Sequence, residues 1–96
     1  MAEIDITRAH TLGLAEARTA AERMEGHLGR KFGLKGSWDG DTLHFERPGV
    51  RGSLALTRDK LHLRIALGFM LGAMRGSIEK AVVHELDALF GDSPGA

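Results

Sequence analysis

Residues 61–76 read LHLRIALGFMLGAMRG, and the division of this run between strand and helix decides the fold. With period two, Leu61, Leu63, Ile65, Leu67, Phe69 and Leu71 fall on one side and His62, Arg64, Ala66, Gly68 and Met70 on the other, the alternation of a half-buried strand. With a period of 3.6, Leu71, Met74, Ile78, Val82, Leu86 and Leu89 form a stripe that continues to Phe90, before Gly91, as on an amphipathic helix. The two periods overlap between Leu67 and Gly76. We read a strand over 60–67 and a helix over 73–90, with Gly68 and Gly72 in the joint where the chain changes direction. A membrane span is excluded, because the apolar run from Ile65 to Met74 is bracketed by Arg64 and Arg75, whereas a spanning helix needs about 17–25 apolar residues.

Upstream the pattern is simpler. Ile4 and Ile6 alternate with Glu3, Asp5 and Thr7, a short strand with one apolar face. Leu14, Ala17, Ala21, Met24, Leu28 and Phe32 recur at three-and-four spacing, predicting a helix capped by Thr11 or Gly13 and stopped by Gly33. Turn signals at Asp39-Gly40-Asp41, Arg47-Pro48-Gly49 and Arg58-Asp59-Lys60 separate four further strands. The expected fold is α+β, in the order β-α-β-β-β-β-α, with a single curved antiparallel sheet carrying both helices on one face. Its other face, bearing Lys35, Ser37, His44, Glu46, Arg51, Ser53, Ala55, His62, Arg64 and Ala66, is expected to meet water. Residues 1–91 are read as one domain and 92–96, the end of GDSPGA, as a disordered tail.

Composition narrows the function classes. A 96-residue chain buries only about 60–65% of its unfolded surface, so the core should be thin and a homodimer is plausible. Thirteen Lys and Arg balance thirteen Asp and Glu, which removes the electrostatic footprint of a nucleic-acid or anionic-lipid binder. On the open face, Glu46, Glu3 and Asp5 dilute Arg51 and Arg64, and no aromatic row offers base stacking. With no cysteine there is neither a disulfide framework nor a thiolate nucleophile. Acidic residues occupy MAEIDITRAH where a secretory signal needs a basic and then an apolar segment, so the expected location is the cytoplasm.

Catalytic patterns are sparse. The five histidines stand in five separate elements, His84-Glu85 lacks a second histidine at zinc spacing, and no serine sits in a GxSxG elbow. Neither a metal nor a cofactor is expected. One polar group stands out by parity. Arg8 and His10 continue the apolar side of the first strand, Arg47 shares the parity of Leu43 and Phe45, and Arg18 flanks the first helix's stripe. A cluster of these four at one end of the cleft would suit a carboxylate or phosphate, since guanidinium presents a fork of donors. The competing structural reading gives Arg18 a partner in Glu22 one turn on and Arg47 a neighbour in Glu46. Trp38 reads as a plug at the core or sheet edge.

The segments IDITRAHTLGLAEAR, KFG, HFERPGVRGSLAL, LGFMLGAMRGSIE and LDALF, taken in this order and spacing from Ile4 to Phe90, resemble the polyhydroxyalkanoic acid system family, small bacterial proteins also called granule-region proteins. The resemblance implies association with polyester storage granules, chiefly through neighbouring genes, and it supplies no reaction and no catalytic residues. The element order also looks like a reduced helix-grip fold, without the extra strands that give larger members a cavity.

Two functional readings follow. The first is a non-enzymatic accessory protein of the granule system, cytoplasmic or granule-associated. In it Phe69, Met70 and Met74 contact polymer, acyl chain or a granule protein, a use suited to methionine's flexible, polarizable side chain. The second is a small-ligand binder, or an enzyme acting on a hydroxyacyl acid or thioester, with Arg8, His10, Arg18 and Arg47 around the anionic group. A packed cleft with these cations apart would count against the second. Full enclosure of Phe69, Met70 and Met74 would remove the basis of the first.

Overall fold

The alternation read at residues 61–67 forms strand β5 (Lys60–Leu67), with Leu61, Leu63, Ile65 and Leu67 buried. The computed structural model describes residues 2–91, so the tail at 92–96 lies outside the described residues. Around β5 the chain builds β1 (Ala2–Ala9), α1 (Gly13–Phe32), β2 (Lys35–Asp39), β3 (Thr42–Arg47) and β4 (Val50–Leu56). After β5 come a 3-10 segment (Phe69–Met74) and α2 (Arg75–Phe90). This is the expected element order, and the fold is a mixed α+β structure with an open five-stranded sheet.

The sheet runs β1-β5-β4-β3-β2, antiparallel throughout. The meander of β2 to β5 follows from its three turns. β1 then pairs with β5, from Ala2 opposite Leu67 to Ala9 opposite Lys60, so β1 and β2 are the two opposite edges. Strand spacing puts those edges about 19 Å apart. The 20 residues of α1 extend about 30 Å, so one helix connects the edges and covers the face between them.

Both helices pack on that face. Ala17, Ala20, Ala21, Met24 and Leu28 from α1 and Ile78, Val82, Leu86 and Phe90 from α2 join Ile4, Leu43, Phe45, Leu54, Leu63 and Ile65 in one buried cluster. The alanines on α1 let its backbone lie close to the strands, while α2 buries larger side chains at i, i+4 spacing, each worth about 1.5–3 kcal/mol when fully removed from water. His27 Nδ1 lies 2.6 Å from Glu85 Oε1 and links the two helices at their outer surface.

Two glycines are fixed by close approach. Gly49 ends the β3–β4 turn at φ 86°, a left-handed conformation that favours glycine, and Leu71 packs against it. Gly52 has an ordinary backbone but lies beneath the Phe45 ring. A Cβ there would stand 2.3 Å from Cε2 and 2.6 Å from Cζ, so the aromatic ring fills the space of the missing side chain.

The ends of the helices differ in part from expectation. Gly33 does stop α1, its N–H bonding to Gly29 O. At the other end the cap position is Leu12, not Thr11 or Gly13, and no side chain of the cap residue bonds to the helix. Instead the Leu12 N–H donates to His10 Nδ1 at 3.2 Å, so the histidine just after β1 satisfies a donor that the helix start leaves open. The helix expected from residue 73 begins at Arg75, because Phe69–Met74 winds as a tighter 3-10 segment.

Candidate functional site

The four cationic candidates are each engaged by the protein itself. Arg8 is on the helix-covered side, as its parity requires, and its guanidinium pairs with Asp87 of α2. His10 is 3% exposed. Its Nε2 lies 3.1 Å from Thr57 O, its Nδ1 accepts from Leu12, and its ring tilts against Phe90 at 5.9 Å between centroids. These contacts select the tautomer with its proton on Nε2 and tie the start of α1 to the β4–β5 turn.

Arg18 donates to Gly40 O at 2.7 Å and to Asp41 at 3.2 Å, and its guanidinium sits 4.1 Å from the centre of the Trp38 ring. Its partner is therefore the β2–β3 turn, not Glu22. Trp38, partly buried against the core, is an edge plug covered by this cation. Arg47 donates to Phe32 O at 2.8 Å and to Pro48 O at 3.3 Å. Phe32 is the last residue of α1, so Arg47 satisfies a terminal carbonyl at the negative end of the helix dipole.

Arg18 and Phe32, the residue whose carbonyl holds Arg47, stand about 21 Å apart along α1 at 1.5 Å per residue. The four cations do not converge on one cleft. Between helices and sheet, Met24, Leu54, Leu63, Leu86 and Val82 are each under 2% exposed, and hydrocarbon fills the space that a helix-grip ligand would take. Among the described residues, no three His, Cys, Asp or Glu side chains converge as metal ligands.

The apolar candidates have a different setting. Phe69 is 89% exposed and Met74 43% exposed, while Leu71 is partly buried against the core. The side chain of Met70 lies outside the described residues. Local geometry explains the exposure. The strand ends at Leu67, and a 3-10 segment has three residues per turn, so residues three apart share a side. Leu71 turns toward Gly49, while Phe69 turns away. Period two, continued past Leu67, would turn Phe69 inward; the strand instead ends at Leu67 as read from the sequence, and Gly68, whose N–H bonds to Gly49 O, marks the break.

The segment itself is held firmly. Leu71 N–H bonds to Gly68 O at 3.0 Å, and Arg75 donates from Nε to Glu3 O at 3.1 Å and pairs with Glu79 at 3.3 Å. An apolar ring is thus presented on an anchored turn at one end of the sheet, in a segment where Ala73 is also exposed. Leaving such a ring in water forgoes about 1.5–3 kcal/mol of burial.

Among the described residues, no helix is long and apolar enough to cross a membrane. Comparison with curated proteins and with solved structures finds no match. A family profile described as "Putative polyhydroxyalkanoic acid system protein" matches residues 4–90, from Ile4 in β1 to Phe90, the last residue of α2. The chain belongs to this polyhydroxyalkanoic acid system family.

Proposed function

We propose that the chain is a non-enzymatic accessory protein of the polyhydroxyalkanoic acid system that docks on the apolar surface of polyester granules through Phe69. The observation that carries this reading is the 89% exposure of Phe69 on a turn whose backbone is held by Gly68, Gly49 and Arg75. A large apolar side chain held outward on an anchored segment is placed to enter another apolar surface without rearrangement of the backbone. Membership of a polyhydroxyalkanoic acid system family supplies the class of surface. The filled space under the helices and the internal engagement of Arg8, His10, Arg18 and Arg47 favour docking over turnover of a ligand in the cleft.

The test is fractionation of polyester-accumulating cells that carry a tagged native chain or a Phe69→Asp variant. Burying Phe69 alone is worth about 1.5–3 kcal/mol, so the variant should lose at least about tenfold in granule association with an unchanged melting temperature. Native protein wholly in the soluble fraction, or equal recovery of both versions on granules, overturns the reading. Repeating the assay on protease-stripped granules separates polymer from a granule protein as the docking surface. Retention after stripping supports polymer, and loss contradicts it.

A further inference from the structure

We propose that the outward face of β2, β3 and β4 carries a binding site for a small oxyanion, a carboxylate or phosphate group, held by Lys35, His44 and Arg51. The register places Lys35 opposite Glu46 and Glu46 opposite Arg51 in one row, with Ser37 opposite His44 in the next. Directly opposed side chains in such a sheet stand about 4.5–5.5 Å apart. These residues, with Arg47, line a hollow of about 750 Å³, within the usual range for small-molecule sites of about 300–1,000 Å³.

Charge selects the ligand class. On this face Lys35 and Arg51 flank a single carboxylate, Glu46, leaving an excess of one positive charge in a chain of zero formal net charge. The two halves of this face are treated differently. Toward β1, Arg64 reaches both Glu3 and Asp5 at 3.7 Å, and His62 lies 2.7 Å from Asp5. Toward β2, Arg51 is 85% exposed with Glu46 no nearer than 3.9 Å, and among the described residues Lys35 and His44 make no side-chain hydrogen bond or ion pair. A guanidinium fork, an ammonium, an imidazole and the Ser37 hydroxyl therefore stand around one hollow with donors to spare. An oxyanion takes up those donors and neutralises the excess charge. The site is separate from Phe69 and does not rest on the granule reading.

The test is a titration of the ¹⁵N-labelled protein with sodium phosphate and with sodium hydroxybutyrate at constant ionic strength, followed by amide shifts. The expected result is saturable shifts confined to β2, β3 and β4. Lys35→Gln with Arg51→Gln should weaken binding at least about tenfold, and Arg64→Gln should leave it unchanged. Glu46→Gln should tighten binding severalfold, a gain that no loss of folding can mimic. Saturation by only one of the two ligands identifies the source of the oxyanion group. Shifts that do not saturate, that spread evenly over the surface, or that are the same in the Lys35→Gln, Arg51→Gln and Glu46→Gln variants overturn the proposal.

Discussion

Replacing Gly52 by alanine tests the core beneath the meander. Gly52 does not occupy the left-handed region, so its backbone suits any residue, and alanine in a strand ordinarily gains about 0.5–1 kcal/mol over glycine. The neighbour reverses that sign. An added Cβ would stand 2.3 Å from Phe45 Cε2, 2.6 Å from Cζ and 3.0 Å from Cδ2, against ordinary carbon contacts of about 3.5–4.0 Å. The ring must move by more than about 1 Å, and at 3% exposure it has no free space to enter. Overpacking of this kind costs about 1–3 kcal/mol. For a chain of this length the melting temperature should fall by about 5–20 °C, measurable by circular dichroism. Leucine lacks the Cε2 and Cζ atoms that cause the clash. In a Phe45→Leu background, Gly52→Ala should therefore be neutral or stabilising, with a coupling of at least about 1 kcal/mol in the double-mutant cycle. A Gly52→Ala protein as stable as the native chain, or one equally destabilised in both backgrounds, would refute this account of the ring and the glycine.

Three further outcomes follow from the same contacts. His10→Ala leaves the Leu12 N–H and Thr57 O without their partners and should cost about 2–3 kcal/mol in urea unfolding. His10→Asn should recover part of this, because a short amide can still accept from the N–H two residues on. Arg47→Met removes the donor to Phe32 O and, at an exposed site, should cost about 0.5–1 kcal/mol, with faster amide exchange confined to the last turn of α1. Phe69→Asp alters a side chain that takes almost no part in the core, so its unfolding free energy should stay within about 0.5 kcal/mol of the native value.

What could be read from the sequence was local. Alternation in residues 61–67 and the three turn signals specify four strands in a meander, because each pairing is made by neighbours in the chain. The position of β1 is a different matter. Ile4 and Ile6 show which side of the strand is buried but not which strand lies beside it, and the pairing with β5 depends on α1 being long enough to cross the sheet. The same limit applies to the cations. Parity correctly faces Arg8 toward α2, yet parity does not say at which end of the layer a side chain lies, so Arg18 and Arg47 read as neighbours while bracing opposite ends of α1. Arg18 finds Asp41 instead of Glu22 because the fold brings the β2–β3 turn within its reach. The alternation stops at Leu67, where Gly68 turns the chain into a 3-10 segment, and Phe69, a contact candidate in the sequence, stands outside the core.

The central claim is that Phe69 enters an apolar granule surface. The chain contains no cysteine, so Phe69→Cys creates a unique attachment point for an environment-sensitive fluorophore, and Arg58→Cys, in the turn between β4 and β5, provides a control. Mixing the labelled proteins with protein-free polyester particles should shift emission to the blue and raise its intensity at position 69 while leaving position 58 unchanged. No change at 69, or an equal change at both positions, would contradict docking through this turn.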